Sequence, residues 1–126
     1  MQRVIYLFIF QLVFLFFVPG KINAQVSDSD KKDPCVTVPD VLTPECETAN
    51  CDFIPLFTCL PSQYEMWIYD RWGILVFHTD DYHKGWDGTN ENKQIMPVGV
   101  YVWRIVFSTS PNGKKHELTG NVSLIR

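Results

Sequence analysis

The chain has little that covalent chemistry could be done with. Its 126 residues contain no nucleophile elbow, no glycine-rich phosphate loop and no H-E-x-x-H segment. The arrangements that activate a serine, cradle a nucleotide or hold a catalytic zinc are therefore missing, and no enzyme is expected. Basic residues are scarce too. Once the amino-terminal export segment is set aside, nine Lys and Arg stand against fourteen Asp and Glu, a balance of −5. That leaves no basic footprint for nucleic acid and no pull toward anionic lipid, while keeping an exported domain soluble. Nor is there a bilayer span. The apolar run over residues 4–18 is 15 residues long, broken only by Gln11, against the ~20 that a crossing needs.

With Arg3 before it and Pro19-Gly20 after it, that run reads as the core of a signal peptide over residues 1–24, ending in Ile22-Asn23-Ala24. No cysteine lies near the cleavage point, which argues against a lipoprotein anchor. Residues 25–34 (QVSDSDKKDP) are polar and without apolar period. They are expected to form a disordered leader, because they cannot bury enough to offset their chain entropy. Ten residues are too few for a cargo domain. Residues 35–126 have room for one modest core.

Cys35, Cys46, Cys51 and Cys59 all follow the export segment. An even count in an exported domain favours disulfides. Three pairings exist and sequence does not choose among them. The arrangement we expect clips Cys46 to Cys51 and leaves Cys35 and Cys59 to tie the first strand to the second. A four-cysteine zinc site is disfavoured, since ten, four and seven residues separate successive cysteines instead of two close pairs. Glu45, Glu47, Asn50 and Asp52 lack the glycine that a calcium loop uses for its sharp turn, and they read as a solvated acidic turn. His78, Asp80, Asp81 and His83 read as a polar loop after a strand, with no metal or acid–base role, and His116 as a solvent-facing strand residue.

Order is clearest over residues 64–107. Tyr64, Met66 and Ile68 alternate with Glu65, Trp67 and Tyr69, a two-residue period rich in aromatic side chains. Asp70, Arg71, Trp72 and Gly73 interrupt it, with Gly73 free to take positive φ at a turn. Ile74, Val76 and His78 then alternate with Leu75 and Phe77. In the polar connection that follows, Asp87-Gly88 makes a turn, and Trp86 folds back over the core with its indole N–H on a backbone acceptor. Pro97 and Gly99 launch a long strand, with Tyr101, Trp103, Ile105 and Phe107 against Val100, Val102, Arg104 and Val106. Asn112-Gly113 suits a two-residue hairpin loop. Leu118, Val122 and Leu124 end the chain opposite Glu117, Thr119, Asn121 and Ser123. Seven or so short strands and no helical period predict an all-β fold, an Ig-like antiparallel β-sandwich.

The segments YEMWIYDRWGILVFHT, GWDGTN, PVGVYVWRI and the final VSLIR together resemble the gliding motility-associated C-terminal domain. That domain is the type B sorting domain of the type IX secretion system of Bacteroidetes. The resemblance covers residues 38–126. It implies an Ig-like sandwich that addresses a protein for export across the outer membrane of a Gram-negative bacterium, by way of the periplasm, to the medium or the cell surface. Its implied partner is the outer-membrane secretion machinery, with no cofactor, no small-molecule substrate and membrane contact only through that apparatus. Where the family pattern has an Asn-Gly-Asp-Gly-x-Asn-Asp loop, this chain has residues 45–52, in which two cysteines stand and the glycines are gone. An alternative is a stand-alone adhesive or structural module, since WDG followed by PxGVYxW also resembles Ig-like modules of bacterial surface proteins. For either role the candidate contacts are Arg71, Trp72, Trp86 and Asp87, at two loops rich in hot-spot residue types.

Overall fold

Alternation builds the main sheet. The protein is described by a computed structural model covering residues 33–46 and 51–126. The signal peptide, most of the leader, and Glu47 and Asn50 lie outside those residues. The strands are β1 (Val36–Thr37), β2 (Val41–Leu42), β3 (Leu56–Phe57), β4 (Gln63–Tyr69), β5 (Leu75–Thr79), β6 (Gly99–Ser108) and β7 (His116–Leu124), with no helix among the described residues. Five form one sheet in the order β2-β7-β6-β4-β5, and β1 pairs with β3 in a second, two-stranded sheet. The expected all-β fold of about seven strands in two sheets is what forms.

One face of the large sheet is apolar. Tyr64, Met66 and Ile68 of β4, Tyr101, Trp103, Ile105 and Phe107 of β6, and Val122 and Leu124 of β7 are all buried there. Phe57 of β3 binds the second layer to this face. Its ring meets Tyr64 at 5.6 Å and Phe107 at 5.2 Å, both edge-on, a geometry that suits the aromatic quadrupole. Gly120 of β7 lies directly under the Trp103 indole, where an added Cβ would strike the ring.

Two disulfides staple this thin second layer. Cys35 is bonded to Cys59 and Cys46 to Cys51, the arrangement expected. The first joins the start of β1 to the end of β3, and the second closes the turn where glycines were missing.

Four expectations need correction. The large sheet is not wholly antiparallel, because β2 runs parallel to β7, with Val41 opposite Ser123 and Leu42 opposite Leu124. Most of the chain intervenes between them, so no hairpin dictates their direction, and Pro39 and Pro44 keep β2 short. His78 does not share a face with Val76. The β4–β5 register slips between Ile68 and Tyr69, so that Trp67 pairs with His78 but Tyr69 with Leu75. This is a bulge, which reverses the alternation beyond it. Gly113 is not in a two-residue turn. Residues 109–115 separate β6 from β7, its φ is not positive, and it is needed because a Cβ would collide with Ser110. His116 is half-buried, stacked on Phe107 at 5.0 Å, with its Nδ1 2.8 Å from Asp33. Asp33 also accepts the Cys35 N–H at 3.0 Å, so order begins before Cys35.

Gly73 and Gly88 hold φ of +74° and +78°, a region costing an L-residue roughly 1–2 kcal/mol. An added Cβ at Gly73 meets nothing within 4 Å, whereas at Gly88 it meets Pro44 at 3.0 Å and Leu124 at 3.2 Å. Gly73→Ala is therefore expected to lose about 1 kcal/mol, the backbone cost alone. Gly88→Ala should lose distinctly more, and equal losses on thermal denaturation would contradict this account. For the disulfides, loop-closure entropy gives about 3.5 kcal/mol for Cys35–Cys59, 24 residues apart, and about 2 kcal/mol for Cys46–Cys51, 5 apart. Paired Cys→Ala variants in urea should keep that order.

Candidate functional site

Two exposed turns share one design. At residues 70–74 the Asp70 carboxylate accepts the N–H groups of Trp72 at 2.8 Å and Ile74 at 2.9 Å. The Asp70 N–H bonds the Ile74 carbonyl, and the Gly73 N–H bonds the Asp70 carbonyl. At residues 90–94 Asn90 repeats this, accepting from Asn92 and Gln94 while the Asn90 N–H bonds the Gln94 carbonyl. The left-handed fourth position is Gly73 in one and Lys93, at φ 61°, in the other. Side-chain carbonyls that satisfy the backbone in this way fix a turn without burying it.

Arg71 and Trp72 ride on the first turn. Trp72 is 79 % exposed. Arg71 makes no hydrogen bond or ion pair among the described residues, and its Nη2 reaches to 3.9 Å from where a Cβ on Gly99 would sit. Between this turn and residues 96–101 lies a hollow of about 150 Å³. The Tyr101 hydroxyl at its base donates to the Pro97 carbonyl at 2.7 Å. Burial, with Asp70 nearby, raises the Tyr101 pKa and keeps the phenol neutral.

The second predicted pair behaves otherwise. Trp86 is 0 % exposed and offers no surface to a partner. Its backbone exchanges two hydrogen bonds with Phe53, at 2.8 and 3.0 Å, and its ring meets Tyr101 at 4.9 Å. The indole N–H donates to the Thr89 carbonyl at 2.8 Å, the backbone acceptor anticipated. It is a core residue, and its candidacy as a contact is withdrawn. Asp87 is tied inward, accepting from the Thr89 hydroxyl at 2.6 Å and N–H at 3.0 Å, with Lys93 at 3.7 Å. Burial pushes its carboxyl up, but Thr89 and then Lys93 outweigh that and hold it below the ordinary value. Arg126 closes the same loop, donating to the Met96 carbonyl at 2.7 Å and the Gly88 carbonyl at 3.4 Å.

His78, Asp81 and His83 border an open trough of about 580 Å³ beside β5. His78 lies 3.3 Å from Glu65 and His83 3.4 Å from Asp81. No three His, Cys, Asp or Glu converge as metal ligands among the described residues.

Sequence reading passed over the outward face of β6. Val100 and Val102 are 56 % and 42 % exposed. The signal was present: β6 is apolar at successive positions, a pattern of strands covered on both faces, yet only one face is covered within the molecule.

Two sheets of seven strands, held by two disulfides, define an all-β domain of the β-sandwich class. The chain belongs to the CHU_C type IX secretion signal domain family, whose pattern matches residues 36–124. No curated protein matches it. It is accordingly a sorting signal, part of an exported protein that engages the secretion machinery.

The depressed pKa of Asp87 sets a pH dependence. A carboxyl held below its unfolded value contributes stability that is present above that value, 3.8, and lost as the pH falls through its folded value. Asp87→Asn is expected to be less stable than the parent at neutral pH, and the two should converge in acid below 3.8. A deficit that persisted unchanged in acid would show that the charge is not the cause.

Proposed function

We propose that the folded domain, not a linear peptide, is the address read by the outer-membrane secretion machinery of a Gram-negative bacterium. The chain reaches that machinery from the periplasm, after export directed by its signal peptide. The domain acts by docking and catalyses nothing. Nucleic acid, cofactors and small-molecule substrates have no part in it, and it meets the membrane only through the apparatus.

The observation that carries this reading is the turn at residues 70–74. Asp70 accepts the N–H groups of Trp72, Gly73 and Ile74, while Arg71 and Trp72 stand exposed. A linear signal would need no such scaffold. A pre-organised aromatic–arginine pair spends little ordering entropy on binding and has the composition of an interface hot spot.

A periplasmic reporter placed between the signal peptide and residues 25–126 tests it. The reporter is expected outside the cell only when the type IX apparatus is intact. Retention in the periplasm with a working apparatus would favour the stand-alone adhesive module instead.

A further inference from the structure

The outward face of the large sheet is divided into two halves of different character. In one half the side chains satisfy each other. Arg104 donates to Glu117 at 2.7 Å and lies over the Trp67 ring at 5.0 Å, His78 stacks on Trp67 at 5.3 Å, and His78 approaches Glu65 at 3.3 Å. The other half is mostly apolar, with Tyr69 half-buried and Leu75, Val100 and Val102 exposed. Leu75, Tyr69 and Val102 are neighbours in one register row across β5, β4 and β6, and Val100 follows two residues from Val102 on the same side of β6. Val100 then lines the hollow that also holds Arg71, Trp72 and Val98. The apolar row and the hollow are thus continuous. Val98 and Leu75 are 58 % and 42 % exposed.

Contiguous apolar surface of this kind on a soluble domain marks an interaction site. The sheet edge is a poorer candidate, because β5 is short and bulged, the usual device that blocks strand addition.

We infer that this apolar half-face, with the Arg71 hollow at its end, is the docking surface. Its occupant is a protein surface that presents apolar side chains around one carboxylate, which pairs with Arg71. The inference rests on the sorting function and specifies which face is read. Charge selects the occupant. Arg71 makes no ion pair among the described residues and shares the hollow with Trp72, Val98 and Val100, where a matching anion would gain a charge-assisted bond. A second copy is the poorer source of that anion, because Asp70, the one carboxylate lining the hollow, already accepts two N–H groups at one of its oxygens. A lipid surface would call for a cluster of Lys and Arg, and residues 25–126 carry a net −5.

The full chain, followed by antibody in cells and medium, provides the test. Arg71→Glu and Val100→Lys are each expected to cut the exported fraction by about tenfold or more, as loss of a hot-spot contact does, with the melting temperature near that of the parent. Thr119→Lys, on the satisfied half of the same face, should export like the parent, and Arg71→Lys should restore most of what Arg71→Glu loses. Should Val100→Lys fail to fold, Arg71→Glu, on an exposed turn, decides alone. Parent-like export of folded Arg71→Glu overturns the docking surface while leaving sorting intact. Parent export that persists without the type IX apparatus overturns both. Patch-dependent binding to phosphatidylethanolamine–phosphatidylglycerol vesicles would assign the face to lipid, and patch-dependent dimers in sedimentation would assign it to a second copy. Either result overturns the inference.

Discussion

A five-stranded sheet with one apolar face must be roofed, and among the described residues four strand residues do it, two in β1 and two in β3. Everything distinctive about the second layer follows from that shortage. Phe53 and Trp86, both outside the named strands, complete the roof by exchanging backbone hydrogen bonds and lowering two large rings onto the sheet. Each fully buried ring contributes on the order of 2–3 kcal/mol of transfer free energy. A roof so thin has little cooperative strength of its own. Both disulfides fall within it or at its border, where a covalent limit on the unfolded chain helps most.

The same shortage explains how the WDG loop is spent. An aromatic residue next to an acidic turn has the look of a contact, but this one closes the core. The Thr89 carbonyl accepts from the indole N–H, Asp87 accepts from the Thr89 hydroxyl and N–H, and Arg126 donates to the Gly88 and Met96 carbonyls. From Trp86 to Thr89 the loop looks inward. The hairpin turn at the other side of the hollow differs, since its aromatic residue, Trp72, has no core to fill.

Much of the sheet was legible because its periods are local. The strands around Met66, Trp103 and Val122 could be read from alternation alone, as could the turn at Gly73. What escaped was set by distant partners. The parallel pairing of Val41 with Ser123 joins segments some eighty residues apart, and no local pattern fixes its direction. The bulge opposite Ile68 moved His78 to the outer face, since one extra residue inverts every side chain after it. The burial of His116 depends on Asp33, in a segment that composition alone assigns to a leader. At the candidate site the exposure of Trp72 could be read from its place at a tip. That of Val100 and Val102 could not, because a β-branched run says that a strand is covered and not by whom.

Parallel pairing of β2 with β7 has a mechanical meaning. Tension applied between Asp40 and Arg126 runs along these two strands in shear. The Ser123 N–H to Asp40 bond at 2.8 Å and the Ile125 N–H to Leu42 bond at 3.0 Å would then be loaded together, not opened one after another as in a peeled hairpin. Short as the seam is, two bonds strained at once resist such a pull better than the same two opened in turn.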